Sequence, residues 1–251
     1  MHDAVAFVEK ITCDAAWNQV DPATDALYHT EGDNLYVGAF NQVVAMRAGG
    51  EKIRRARLDS PSLRALFRHY ISPVCAEDGD DKPLPIEWRL PSPLPLITNE
   101  GLKAEVYSAV GAATTYDYWV LLLLAAGALA PITGKIATVR FTTSGTPVAK
   151  TWTQLTVTLD ETLPVGRYQI VGADVRSGSG VLFRFIIPGL AHRPGAFTHW
   201  SYAASPAFSY QRMGNMGVWG EFDHRVPPDL EIMEMGTEEP TDGYMDLIKI
   251  A

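Results

Sequence analysis

The second half of the chain alternates polar and apolar side chains with a period of two. Residues 135–142 and 152–159 both show this alternation, the second with Leu155, Val157 and Leu159 at every other position. A period of two is typical of β-strands, because successive side chains of a strand point to opposite faces. Both stretches are therefore predicted strands.

Two further strands are predicted from content rich in β-branched and aromatic residues, at residues 167–171 and 181–187. Clusters of Gly, Pro and Ser suited to turns separate the four strands, at residues 144–147, 163–166 and 177–180. Short strands at regular spacing predict an all-β sandwich or barrel.

The first half predicts strands at residues 3–12 and 34–46, followed by one short helix. Asp59 or Ser60 suits the helix cap, Pro61 suits the first helical position, and apolar residues follow at helical spacing until Pro73 ends the helix.

A charged and proline-rich stretch then predicts a division of the chain. Residues 77–81 are a charged loop, and prolines at positions 83, 85, 91, 93 and 95 forbid a central strand in most of the next 14 residues, 82–95. We predict a smaller first β-barrel at residues 1–91. A second, jelly-roll barrel with an aromatic C-terminal extension is predicted at residues 92–251.

Composition and charge restrict the function classes. Hydrophobic residues make up 47% of the 251 residues and charged residues 20%, which indicates a globular chain. The net charge of -8 argues against a protein that coats nucleic acid. The apolar run at residues 118–130 is too short to span a membrane as a helix and predicts a buried strand. The first residues show no secretory signal, so we expect synthesis in the cytoplasm.

A search for catalytic and metal-binding patterns gives no site. Cys13 and Cys75 have no zinc-binding spacing and are interpreted as buried apolar residues. His192, His199 and His224 lie in the last quarter of the chain, but the spacing of cupin metal ligands is missing. A solvated loop is favoured over a calcium site at residues 77–81. We therefore predict no catalytic, cofactor-binding or metal-binding residue, no cofactor and no enzyme activity.

Charge is also unevenly placed. Seven of the 21 cationic residues fall within positions 47–68, and seven acidic residues fall within positions 229–246. We predict that the basic stretch contacts the acidic tail of a neighbouring copy, since opposite potentials set orientation at interfaces. Phosphate binding and a solvated face are the alternatives. The aromatic segment from His192 onwards is expected to pack over the barrel or against a neighbouring subunit.

Four short runs resemble the capsid proteins of tailless icosahedral viruses. They are RARLDSPSLR at residues 55–64, YISP at 70–73, LPVGRY at 163–168 and RPG at 193–195. The resemblance implies a major capsid protein of the double-jelly-roll type, with two barrels side by side and three copies forming a pseudo-hexameric tile. The chain is short for two barrels, so one barrel with an elaborated N-terminal region, a penton protein and a minor shell protein stay open.

The combined prediction is a virion structural protein that self-assembles into an icosahedral shell and is assembled in the host cytoplasm. Its partners are expected to be itself, as a homotrimer and in neighbouring capsomers, and other virion proteins, with indirect contact to the genome or an inner membrane left open. No small-molecule substrate is expected. The second hypothesis is a carbohydrate-binding β-sandwich that stacks Trp200, Tyr202 and Trp219 on sugars. The third is a cupin-like metalloenzyme that uses the three C-terminal histidines.

Overall fold

The computed structural model is divided by its internal contacts into two compact units. Residues 5–126 form one unit, called here the first jelly roll, and residues 1–4 with 127–251 form the second jelly roll. The structure describes residues 1–12, 15–51, 53–67, 70–72, 75–77, 89–108, 115–200, 216–236 and 242–251.

The first jelly roll contains eleven strands and one helix within the described residues, and the first three residues of its first strand belong to the other unit. They are β1 (His2–Thr12), β2 (Trp17–Val20), β3 (His29–Glu31), β4 (Asn34–Tyr36), β5 (Gln42–Glu51), β6 (Ile53–Asp59), α1 (Pro61–Phe67), β7 (Tyr70–Ser72), β8 (Cys75–Glu77), β9 (Arg89–Pro95), β10 (Gly101–Ser108) and β11 (Thr115–Ala125).

Eight of these strands follow the pairing order of a jelly roll. In chain order they are β1, β2, β5, β6, β7, β9, β10 and β11. In one sheet β1, the first, pairs with β11, the eighth; β11 pairs with β5, the third; and β5 pairs with β9, the sixth. The other pairs the second with the seventh, the seventh with the fourth and the fourth with the fifth. The hairpin of β3 and β4 adds to β10, and β8 lies parallel to the end of β5.

The second jelly roll repeats the same pairing order. Its strands are β12 (Ile136–Ser144), β13 (Thr153–Leu159), β14 (Arg167–Ser177), β15 (Gly180–Ile186), β16 (Gly195–Phe197), β17 (His199–Trp200), β18 (Gly220–Asp223), β19 (Asp229–Glu234) and β20 (Asp242–Lys249). Apart from β17, these are eight main strands. The first, β12, pairs with the eighth, β20; β20 pairs with the third, β14; and β14 pairs with the sixth, β18. The second pairs with the seventh, the seventh with the fourth and the fourth with the fifth.

Even the small parallel strand is repeated. β17 pairs in parallel with the end of β14, just as β8 pairs in parallel with the end of β5. In each unit the parallel strand follows the fifth main strand and pairs with the third. The prediction of an all-β jelly-roll fold with one short helix is therefore confirmed, and the two units have one topology.

Apolar side chains fill each unit. In the first jelly roll, β11 is buried from Tyr118 to its end at Ala125, which confirms a buried strand over the first eight residues of the apolar run at 118–130; residues 126–130 lie beyond the strand. In the second jelly roll, Phe141, Phe183, Phe185 and Trp219 are buried, and their rings contact one another. No helix among the described residues is long and apolar enough to cross a membrane.

Several predicted elements differ from the structure. The helix ends at Phe67, and residues 70–72 form β7 because their backbone pairs with β6. The proline-rich residues 89–95 form the strand β9. Among the described residues β9 pairs only with β5, so it is an edge strand, which agrees with the prediction that its prolines exclude a central strand. The boundary between the two units falls after residue 126, later than the predicted division near residue 92, because β9 and β10 pair with strands of the first jelly roll. Pro73, Cys13 and residues 78–81 lie outside the described residues.

The described residues of the aromatic C-terminal segment are part of the second jelly roll. They supply four of the eight main strands, namely β16, β18, β19 and β20. The described residues of this segment do not pack over the barrel but supply strands of it, and contact with a neighbouring subunit stays a prediction.

Candidate interaction surface

An arginine and a glutamate face each other across two strands of the first jelly roll. Arg57 of β6 and Glu105 of β10 are register partners, and Nε and Nη2 of Arg57 donate to the two carboxylate oxygens at 2.6 and 3.0 Å. The guanidinium lies 4.2 Å from the ring centroid of Trp17, at the start of β2. Bidentate pairing and stacking on an aromatic face hold the guanidinium in one orientation. We call Trp17, Arg57 and Glu105 the first cluster.

The second jelly roll carries the same three residue types in the same arrangement. Arg184 of β15 and Glu231 of β19 are register partners, and Nε of Arg184 donates to Glu231 at 2.6 Å. The guanidinium lies 3.9 Å from the ring centroid of Trp152, which directly precedes β13. We call Trp152, Arg184 and Glu231 the second cluster.

The two clusters are equivalent in topology. In each unit the arginine lies on the fourth main strand and the glutamate on the seventh, while the tryptophan lies at the start of the second. A glutamine two residues after each tryptophan pairs with the glutamate, Gln19 with Glu105 and Gln154 with Glu231. The position of the cluster is thus repeated together with the fold.

The first cluster lies on the face of its sheet that points away from the apolar core. Along β10, Leu102, Ala104 and Val106 are buried, and Glu105 alternates with them. The same alternation holds for Gln154, which is exposed next to buried Leu155 on β13. Outward-facing arginines and glutamates on a sheet are available for contacts beyond the sheet itself.

Burial distinguishes the two clusters. The side chains of Arg57 and Glu105 are 19% and 21% exposed, whereas those of Arg184 and Glu231 are 1% and 11% exposed. Nη1 of Arg184 donates to the backbone oxygen of Ala4 at 3.4 Å. The second cluster is therefore covered in part by the start of β1.

Further contacts fix the start of β1 at this place. Arg193 pairs with the other oxygen of Glu231, and its backbone nitrogen donates to the Asp3 carboxylate at 3.1 Å. The His2 ring lies edge-on to Trp219, with centroids 5.0 Å apart. Burial lowers the pKa of His2 to about 3, so this ring is neutral at neutral pH.

Among the described residues, the C-terminal histidines form no metal site. Nδ1 of His224 accepts a hydrogen bond from the backbone nitrogen of Gly166 at 3.2 Å and lies 3.1 Å from the Asp223 carboxylate. His192 is half-buried, and burial lowers its pKa. The side chain of His199 is not among those described. Within the described residues, no group of three or more His, Cys, Asp or Glu side chains is placed to hold a metal ion.

Trp219, one of the three aromatic residues of the sugar-stacking hypothesis, is buried. Trp219 is 1% exposed and packs against Phe183, Phe185 and His2, so its ring offers no platform to a ligand. Tyr202 and the side chain of Trp200 lie outside the described part of the chain.

The predicted contact between the basic stretch and the acidic tail of a neighbouring copy stays a prediction, and the structure shows what the described charged groups contact within one chain. The acidic residues of the tail that the structure describes lie in or at the ends of β19 and β20 and are held within the second jelly roll. Asp242 pairs with Arg140 and Arg176, and Glu234 accepts hydrogen bonds from Ser177 and Ser179.

Some arginines of the basic stretch also have partners within the first jelly roll. Arg57 and Arg64 pair with Glu105 and Asp59, and Arg47 is buried beside Trp119. Arg54 and Arg55 are exposed, while Lys52 and Arg68 fall in the undescribed positions.

Sequence reasoning missed both clusters. A signal was present, since the spacing Trp-x-Gln occurs at residues 17–19 and again at 152–154, in each case at a predicted strand or close to one. The arginine and glutamate partners carry no such local signal, because they lie 48 and 47 residues apart in the chain.

No protein-family model matches the chain, and no curated protein matches it. Among solved structures, the chain is similar to the crystal structure of the major capsid protein P2 from bacteriophage PM2, at 11% sequence identity and a TM-score of 0.26. The match covers 100% of this chain and 98% of that chain. Because identity and TM-score are both low, a function for this chain has to be argued from its own residues.

Proposed function

We propose that the protein is a non-enzymatic virion structural protein, a major capsid protein that self-assembles into an icosahedral shell. The observation that carries the proposal is the repetition of a complete jelly roll within one chain, including the cluster of tryptophan, arginine and glutamate at equivalent strand positions. Jelly rolls occur in viral capsids as well as in lectins and cupins.

The repetition favours a shell over a ligand-binding module. Closed assemblies of identical subunits are built by repeating one contact around a symmetry axis. A chain with two units of the same topology presents equivalent surfaces twice, so three copies can form a tile with six similar edges. This supports the trimeric, pseudo-hexameric tile that the resemblance implies.

The distribution of polar groups supports the same proposal. Buried charges such as Arg184 and Glu234 are engaged in contacts that hold strands together. Polar groups used in this way stabilise a rigid building block. We propose copies of the chain itself and other virion proteins as its partners, with assembly in the host cytoplasm.

The proposal is tested by measuring the mass of the purified full chain across a wide concentration range, with light scattering after size-exclusion chromatography, and by electron microscopy of the concentrated sample. Trimers or larger regular assemblies are expected. A chain that stays monomeric at the highest concentration, and forms no particles, contradicts the proposal.

A further inference from the structure

We infer that the first cluster is a docking site for a second copy of this chain, and that it receives the start of β12 of that copy. The inference rests on the proposed function, because it names the contact through which the subunits associate. It arises from comparing the two clusters, which share a geometry but differ in what covers them.

The second cluster shows which chemistry completes the arrangement. There, a backbone oxygen at the start of a jelly roll's first strand, that of Ala4 on β1, accepts from Nη1 of the arginine. In the first cluster, Nε and Nη2 of Arg57 are bound to Glu105, and Nη1 has no hydrogen-bond acceptor among the described residues. The first cluster therefore presents an oriented donor beside the aromatic rings of Trp17 and Tyr107, whose centroids are 5.8 Å apart.

The segment equivalent to the start of β1 is the start of β12, since each is the first main strand of its jelly roll. In β1, residues 2–8 are buried. In β12, Ile136, Ala137 and Thr138 are exposed, and Ile136 is 49% exposed. Exposure of a β-branched residue at the start of a strand leaves apolar surface that association can bury.

Both halves of such a contact are thus present in a single chain, the first cluster partly exposed and Ile136 exposed. The first cluster offers a donor and aromatic surface. The start of β12 offers an exposed aliphatic side chain and, on the side away from β20, an edge that no strand among the described residues pairs with before Phe141. A contact between two different surfaces of identical subunits is head-to-tail, and it closes into a ring when the rotation between copies allows it. Arginine and tryptophan are the residue types that most often dominate the energy of such interfaces.

The experiment measures subunit association by sedimentation velocity for the full chain and two substitutions, one on each side of the contact. Arg57→Gln removes the donor, and Ile136→Asp places a charge on the opposing surface. Each has a matched control in the second jelly roll. Arg167→Gln breaks a surface pair with Glu221, and Val148→Asp charges an exposed valine near the other end of β12.

Each test variant is expected to weaken association by at least about tenfold, and the controls to associate like the unmodified chain. The double variant Arg57→Gln with Ile136→Asp is expected to lose less than the product of the two single losses, because both substitutions remove the same contact. Circular dichroism checks that each variant is folded. Ile136→Asp changes an exposed site, so it tests the contact even if Arg57→Gln impairs folding.

Other outcomes separate this inference from the proposed function. If the unmodified chain associates and the test variants associate equally well, the docking site is overturned but the proposed function is not contradicted. A loss in the double variant equal to the product of the two single losses also overturns the docking site. An unmodified chain that never associates overturns the proposed function and the docking site with it.

Discussion

The two clusters predict that one chemical change has different costs at two equivalent positions. Glu231→Gln and Glu105→Gln each remove one negative charge with almost no change in volume. In the second jelly roll, Glu231→Gln leaves Arg184, at 1% exposure, without its carboxylate and also deprives Arg193 of its partner. Removing one member of a buried ion pair costs about 3–5 kcal/mol, because the remaining charge stays desolvated.

In the first jelly roll the same change is expected to cost about 1 kcal/mol or less. Arg57 is 19% exposed, so water replaces part of the interaction that Glu105→Gln removes. The free energy of unfolding is measured by urea titration on dissociated subunits, so that association does not contribute. Glu161→Gln, at an exposed position, serves as the control and is expected to change little. A cost for Glu105→Gln equal to or greater than that for Glu231→Gln would refute the argument from burial.

Three further predictions concern stability. Burial lowers the pKa of His2 from 6.5 to about 3, so between these pH values the unfolded state binds more protons than the folded state. The free energy of unfolding therefore decreases as the pH falls below about 6.5, by about 2 kcal/mol at pH 5. This loss is expected to shrink in His2→Phe when thermal midpoints at pH 7 and pH 5 are compared. Gly195→Ala places a Cβ 2.0 Å from the backbone oxygen of Phe183, so a destabilisation of about 1–3 kcal/mol is expected by urea unfolding, and an unchanged midpoint contradicts it. Leu122→Ala is expected to cost about 2–5 kcal/mol at a fully buried position of β11, against less than about 0.5 kcal/mol for Ile97→Ala at 64% exposure, and similar costs would disprove this assignment of the core.

The repeated topology explains why the composition of the chain is ordinary while its architecture is specific. Each jelly roll needs eight strands that pair in a fixed order, and no residue type is required in excess for that order. The equivalent clusters show that more than the backbone path is repeated, since Trp17 and Trp152 lie at the start of equivalent strands and each supports an arginine. Their different burial shows that equivalent positions have different surroundings in one chain.

The sequence by itself determined the local elements. Period-two alternation predicted β12 and β13, the apolar run predicted β11, and Pro61 marked the start of the only helix among the described residues. These features depend on neighbouring residues, which is why a pattern within one stretch is enough to predict them.

Only the tertiary structure decided which strands pair and what the charged residues do. Arg184 and Glu231 meet across 47 residues, and the tail carboxylates such as Asp242 are held by arginines of other strands. The alternation of a strand specifies which face is buried but not which strand lies beside it, because its backbone hydrogen bonds are the same for every partner. The pairing is decided by the packing of the whole jelly roll, and through it the described carboxylates of the acidic tail find partners on other strands of the same unit.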